Sequence, residues 1–221
     1  MIEILAIKLI DQEIFKTKKT DILSRFPDAL KIKYHKFTHS KNLQRSILGE
    51  YLIRYFFNLK TKIDIENIVF ETGEKGKPFL QDSKIHFNIS HSGEWIVAAF
   101  SEKELGIDIE LIKEPNYNVA KRFFSETEIQ NLFSITDIEL KKQLFFEYWT
   151  IKESYLKAIG TGLTKSLSSF TVLFEKEEIS IINNGEKENI YTYQLEFDPE
   201  YKLSISCYEK EINKKIQIIN I

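Results

Sequence analysis

Apolar and polar positions alternate weakly over residues 2–10, where Glu3 and Lys8 interrupt an aliphatic run, and the segment reads as a first strand. Over 41–58, Leu43, Ile47, Leu48, Tyr51, Leu52, Tyr55 and Phe56 fall at helical spacing. Glu71 to Pro78 is turn material. Ile85–Ile89 and Trp95–Phe100 read as strands joined by a loop over Ser90, His91, Ser92 and Gly93, and Leu105–Ile112 reads as a further strand. Ser125-Glu-Thr-Glu128 is a capping box that opens a short helix. A long helix is expected over 138–159, stopped by Gly160 and Gly162. Strands near 168–174, 190–197 and 201–208 follow, with an exposed hairpin loop around 181–188.

The order of these elements contains a faint repeat. Leu5-Ala-Ile-Lys-Leu-Ile is similar to Leu105-Gly-Ile-Asp-Ile-Glu, and Gly49-Glu-Tyr-Leu to Glu153-Ser-Tyr-Leu. Strand, helix, strands, given twice, predicts an α+β fold of two similar halves packed as an intramolecular pseudo-dimer. The halves would be residues 1–104 and 105–221. Lys8, Ile10 and Gly49 stand where the second copy has Asp108, Glu110 and Glu153, so the acidic set occurs once and predicts one metal site.

Composition narrows the classes. A net charge of -2 argues against a nucleic-acid binder, whose footprint would be basic. Cys207 is the sole cysteine, so no internal disulfide framework exists. No stretch approaches the roughly 18 apolar residues that span a bilayer, and the N-terminal segment lacks the basic start and unbroken core of a signal peptide. A cytoplasmic protein with no membrane partner is expected.

Three segments could carry chemistry. In Gly106-Ile-Asp-Ile-Glu110, residues two apart share a face. Asp108 and Glu110 therefore lie together, opposite Ile107 and Ile109. Paired carboxylates suit a hard cation such as Mg2+, although a solvated acidic face would look the same. On the long helix, Trp149, Glu153 and Lys157 form one stripe. Glu153 is a candidate third metal ligand or base, and Lys157 a cation for phosphate; a surface ion pair beside a core tryptophan is the alternative. Phe87-Asn-Ile-Ser-His-Ser-Gly-Glu-Trp95 offers hydroxyls, backbone N–H groups and an imidazole to an anion, or is a plain hairpin turn. His35, His39 and His86 show no metal-ligand spacing, and no glycine-rich phosphate loop is present.

Taken in order, Gly76-Lys-Pro78, His86-Phe-Asn-Ile-Ser-His-Ser-Gly93, Gly106-Ile-Asp-Ile-Glu110, Lys121-Arg-Phe-Phe-Ser125 and Trp149-Thr-Ile-Lys-Glu-Ser-Tyr-Leu-Lys157 form a specific set. With Arg45-Ser-Ile-Leu-Gly49 and Arg54 before them, they resemble the 4′-phosphopantetheinyl transferases, in particular the larger type typified by the surfactin-synthetase-activating enzyme of bacilli. The resemblance implies transfer of 4′-phosphopantetheine from coenzyme A to a serine of an apo acyl or peptidyl carrier protein, releasing adenosine 3′,5′-bisphosphate. It implies that coenzyme A lies between the halves and that Asp108, Glu110 and Glu153 hold Mg2+ against its pyrophosphate. Lys77 and Pro78 would flank the adenine. Ser90 and His91 would approach the phosphates, with His91 on the 3′-phosphate, and Arg45 and Lys33 would add positive charge. Glu153, or a water near it, would take the serine proton, and Lys157 would stabilise the leaving phosphate. Fatty-acid, polyketide and nonribosomal-peptide carriers all fit, and a monomer is expected. A different magnesium-dependent phosphate enzyme, or a non-catalytic interaction protein with a solvated acidic surface, are the competing readings.

Overall fold

A computed structural model describes residues 2–36, 40–73, 78–81, 83–176 and 178–221. Its elements run β1 (Glu3–Lys8), α1 (Gln12–Ser24), α2 (Asp28–His35), α3 (Lys41–Thr61), β2 (Phe70–Thr72), β3 (Pro78–Leu80), β4 (His86–Ser92) and β5 (Trp95–Ser101). They continue with β6 (Leu105–Leu111), α4 (Tyr117–Phe123), α5 (Glu126–Ser134), α6 (Ile138–Ile159), β7 (Phe170–Phe174), β8 (Ile179–Asn183), β9 (Glu186–Lys187), β10 (Tyr191–Gln194), β11 (Tyr201–Cys207) and β12 (Ile216–Ile219).

Alternation explains how these elements stack. In β1 and β5 both faces are apolar. Leu5, Ile7, Ile96, Ala98 and Phe100 pack under α1 and α3, while Ile4, Ala6, Val97 and Ala99 face a second sheet. From that second sheet, Ile107, Ile109, Leu203 and Ile205 meet them. A third core lies between α6 and β7, β8 and α5. The layers are thus helices, sheet, sheet, helix, with three apolar seams between them.

The two sheets share a topology, which gives the repeat a physical form. In the first, β1 pairs antiparallel with β5, whose hairpin partner β4 lies outside, in the order β1-β5-β4. In the second, β6 pairs antiparallel with β11, whose hairpin partner β10 lies outside, in the order β6-β11-β10. Each half carries one long helix, α3 or α6. The α+β architecture of two similar halves expected from the sequence is the architecture found. The last strand of the stretch expected as the second half, 105–221, lies in the first sheet, where β12 runs parallel to β1.

Local chemistry sets the ends of the helices. Ser125 and Glu128 form the expected reciprocal capping box, Asp137 caps α6 by accepting from Glu139 and Leu140, and Gly160 closes it in the left-handed conformation. Two loop expectations are corrected. Ser90, His91 and Ser92 lie in β4, and only Gly93 and Glu94 form the turn. The segment around 181–188 contains the strands β8 and β9 about an Asn184-Gly185 turn. Helices α1, α2 and α4 gave no sequence signal that was read, and Lys19, buried in the middle of α1, interrupts its apolar stripe. Asp108, on the face of β6 away from the inter-sheet core, is buried.

Candidate active site

Three elements meet at one end of the seam between the halves. Strand β6 turns Ile107 and Ile109 into the inter-sheet core and presents Gly106, Asp108 and Glu110 to its other face. Helix α6 crosses that face. It comes close because Gly106 has no side chain: a Cβ there would overlap the backbone of Ser154 and Ala158. Small hydroxyl residues complete the approach, with Thr150 bonded to Ser204 at 2.8 Å and Ser154 to Ser206 at 3.0 Å. The result sets Glu153 and Lys157 over the β6 carboxylates.

The third element, β4, lies along the free edge of β6 without forming a backbone ladder. The N–H groups of Ile107, Ile109 and Leu111 donate to Asn88 Oδ1 at 2.9 Å, Ser90 Oγ at 3.3 Å and Ser92 Oγ at 3.1 Å. A row of short polar side chains, two residues apart, therefore satisfies an edge that would otherwise be open. The same hydroxyls hold the carboxylates. Ser90 donates to Asp108 Oδ1 at 2.8 Å, and Ser92 to Glu110 Oε2 at 2.7 Å. Lys157 Nζ donates to Asp108 Oδ1 at 2.6 Å, to the Ile107 carbonyl at 3.0 Å and to Ser90 Oγ at 3.1 Å.

Burial raises the Asp108 carboxyl above the usual carboxylate range, against the pull of Lys157. Burial likewise raises Glu110, and the Asp108 charge adds to it. Glu153 is raised by burial, then by Asp108, with Glu110 contributing, so the three carboxyls share one field. On the opposite face of β4 from Ser90 and Ser92 stands His91. Partial desolvation of its ring, then the Arg45 guanidinium, hold its imidazole below its ordinary range. Arg45, from α3, donates to the Gly93 carbonyl at 2.6 Å and to Asn42 at 3.1 Å.

Two atoms of this cleft are left over. Buried and without a hydrogen-bond partner among the described residues are Asp108 Oδ2, an acceptor, and Arg45 Nε, a donor. Each such atom costs about 1–3 kcal/mol, and the charges of both residues act on His91, so an open acceptor and an open donor around one imidazole point to a ligand with cationic and anionic parts. Among the described residues no three His, Cys, Asp or Glu side chains form a ready metal cage. The donor set nonetheless fits a hard divalent cation: three mutually repelling carboxyls, one with a free buried oxygen.

The chain matches the 4′-phosphopantetheinyl transferase superfamily model over residues 104–206 and the 4′-phosphopantetheinyl transferase N-terminal model over 17–103. It is 39% identical over 207 residues to the 4′-phosphopantetheinyl transferase gsp of Aneurinibacillus migulanus, covering 92% of this chain and 85% of that one. The chain belongs to the 4′-phosphopantetheinyl transferase superfamily. A second relative of the transferase is 4′-phosphopantetheinyl transferase Sfp of Bacillus subtilis, 35% identical over 85% of this chain and 84% of its own. Among solved structures, the holo-[acyl-carrier-protein] synthase of Thermotoga maritima overlaps 49% of this chain and 64% of its own at a TM-score of 0.40 and 16% identity.

Of the residues singled out from the transferase's sequence, the fold gathers Ser90, His91, Asp108, Glu110, Glu153, Lys157 and Arg45. Lys33 is exposed on α2, its ammonium 5.2 Å from the Tyr34 ring centroid, and Pro78 is exposed at the start of β3; neither bonds to the cleft residues among those described. Lys77 lies outside the described residues. Arg54, part of the family pattern, is a buried strut that donates to Glu50 and to the carbonyls of Ile65 and Ile68. Sequence reasoning missed the holding roles of Asn88 and Ser92, although their period-two spacing with Ser90 was a readable signal. It also passed over Lys152, next to Glu153 in sequence, which is fully buried, pairs with Glu128 at 2.9 Å and donates to the Leu167 and Phe170 carbonyls.

Proposed function

We propose that this 4′-phosphopantetheinyl transferase joins the 4′-phosphopantetheine arm of coenzyme A to a serine of an apo acyl or peptidyl carrier protein, with Asp108, Glu110 and Glu153 holding Mg2+. The observation that carries this reading is the pair of orphaned atoms, Asp108 Oδ2 and Arg45 Nε, on two residues whose charges both act on His91. A nucleotide diphosphate with a bound cation satisfies both. When bound, the cation would supply charge neutralisation at the pyrophosphate.

The chain's own residues then divide the work. Arg45 and His91 bind the nucleotide phosphates from the α3 side. Ser90 and Ser92 fix the Asp108 and Glu110 carboxylates through 2.8 and 2.7 Å hydrogen bonds. Glu153, raised by burial and by its acidic neighbours, accepts the proton of the carrier serine, directly or through a water. The serine oxygen bonds to the phosphorus that bears the pantetheine arm as the bond to the other phosphate breaks. Lys157, within reach of that side of the cleft, meets the charge on the departing adenosine 3′,5′-bisphosphate. The reading is of a monomer acting on a cytoplasmic carrier; the described residues hold no helix long and apolar enough to cross a membrane.

The test is incubation with coenzyme A, Mg2+ and an apo carrier, read by intact mass. One added phosphopantetheine group is expected, and none after chelation. Asp108→Ala should lower turnover by at least about a hundredfold and remove the thermal stabilisation by coenzyme A with Mg2+. Relief of repulsion from Glu153 and Glu110 opposes the loss of the Lys157 and Ser90 partners, so a melt of the free variant is run alongside to separate a folding loss from the loss of turnover. Full turnover in this variant would remove the metal assignment.

A further inference from the structure

The Gly93–Glu94 turn, which closes the strand that carries His91, is gripped from the other half of the molecule. Glu94 donates its backbone N–H to the Tyr201 hydroxyl at 3.0 Å. Gly93 sits at φ +53, and a Cβ there would overlap that same hydroxyl, so the phenol packs against the glycine itself. One residue on, the Trp95 indole donates to Asp198 at 3.0 Å and meets Phe197 edge-to-face with centroids 4.6 Å apart. Within the first half, the turn is held by Arg45 on the Gly93 carbonyl and by Leu9, which donates to the Glu94 carbonyl at 2.7 Å.

Tyr201 is also the first residue of β11, the strand that sets the register of β6: it pairs with Leu111, Lys202 with Glu110 and Ser204 with Asp108. One side chain thus connects the strand behind the carboxylates to the turn next to the imidazole. We infer that Tyr201 is a positioning residue for the transfer reaction: its hydroxyl fixes the Gly93–Glu94 turn, and through it His91 and Arg45, at a set distance from the acidic side of the cleft. It touches no reacting atom. Its effect falls on binding of the nucleotide end of coenzyme A, and the chemical step is left alone.

This inference rests on the reading of His91 as the partner of the 3′-phosphate, and the experiment separates the two. Turnover is measured with coenzyme A and with 3′-dephospho-coenzyme A for the parent and for Tyr201→Phe, alongside thermal melts. The parent should use the dephosphorylated donor with a higher KM. Tyr201→Phe should raise KM for coenzyme A about fivefold, the effect of one lost hydrogen bond, with kcat within about twofold, and should change KM for the dephosphorylated donor far less. Equal losses with both donors, or a fall in kcat at unchanged KM, overturn the positioning role. A variant that melts well below the parent and loses both donors alike also overturns it, since the hydroxyl then serves the fold alone. A parent that does not distinguish the donors overturns the His91 reading, and the Tyr201 role falls with it.

Discussion

His91 is the residue whose charge state the cleft most clearly controls. In the free protein, partial desolvation and the nearby Arg45 and Lys157 charges favour the neutral ring. A phosphate placed beside it reverses the balance, because an anion within a few ångströms stabilises the imidazolium. The sign follows: the bound pKa lies above the free one, so binding takes up a proton in the window between them, and affinity strengthens as pH falls through it. Titration calorimetry of coenzyme A binding, run from below to above the ordinary imidazole value of about 6.5 in buffers of different ionisation enthalpy, should show proton uptake that His91→Asn lacks. Equal uptake by parent and variant would place the titrating group elsewhere.

At the scale of elements, the site depends on how closely α6 lies on β6. A methyl at Gly106 meets backbone atoms of Ser154 and Ala158, which cannot rotate away, so the helix must shift as a body. Gly106→Ala should cost about 1–3 kcal/mol of stability and move Glu153 and Lys157 together relative to Asp108. Transfer should drop at least about tenfold, since misplacement on an ångström scale is costly in a site built on positioning. A melt and a steady-state assay check both, and parent-like turnover would show that the helix height is unimportant. The same packing explains what the sequence made legible. Helix α6, its caps and the strand pattern of β6 are set by local rules, so residues 138–159 and the side-by-side carboxylates could be read directly. The row Asn88, Ser90, Ser92 looked like loop material because short polar residues favour turns; its true task, closing the edge of a strand nineteen residues away, is a tertiary fact. Tyr201, more than a hundred residues from the turn it holds, carried no local signal at all. The cleft's acidic side was therefore visible in the sequence, and the means by which its two sides are held together was not.

For the whole molecule, the decisive feature is that the chain does not stay within its halves. After β11 it returns to the first sheet, where β12 pairs parallel with β1 from Ile4↔Ile216 to Ile7↔Ile219. Ile219 enters the core beneath α1 and α3, and Ile216 packs at the inter-sheet core. With Trp95, Val97 and Ala99 on one side of that core and Leu203 and Ile205 on the other, neither half can unfold without exposing the other's apolar face. The two tryptophans report on this directly, because Trp95 lies between the sheets and Trp149 on α6. Single-tryptophan proteins made by Trp95→Phe and Trp149→Phe should show coincident urea transitions, the mark of one cooperative unit. Deleting residues 213–221 removes one strand of the ladder and the burial of Ile219, a loss of about 2–4 kcal/mol. It should lower both midpoints together, since the inter-sheet core still couples them. Midpoints that already separate in the full-length chain would mean that the seam between the halves is a docking surface between independent folds, and the cleft's geometry would then be set by that docking and not by folding itself.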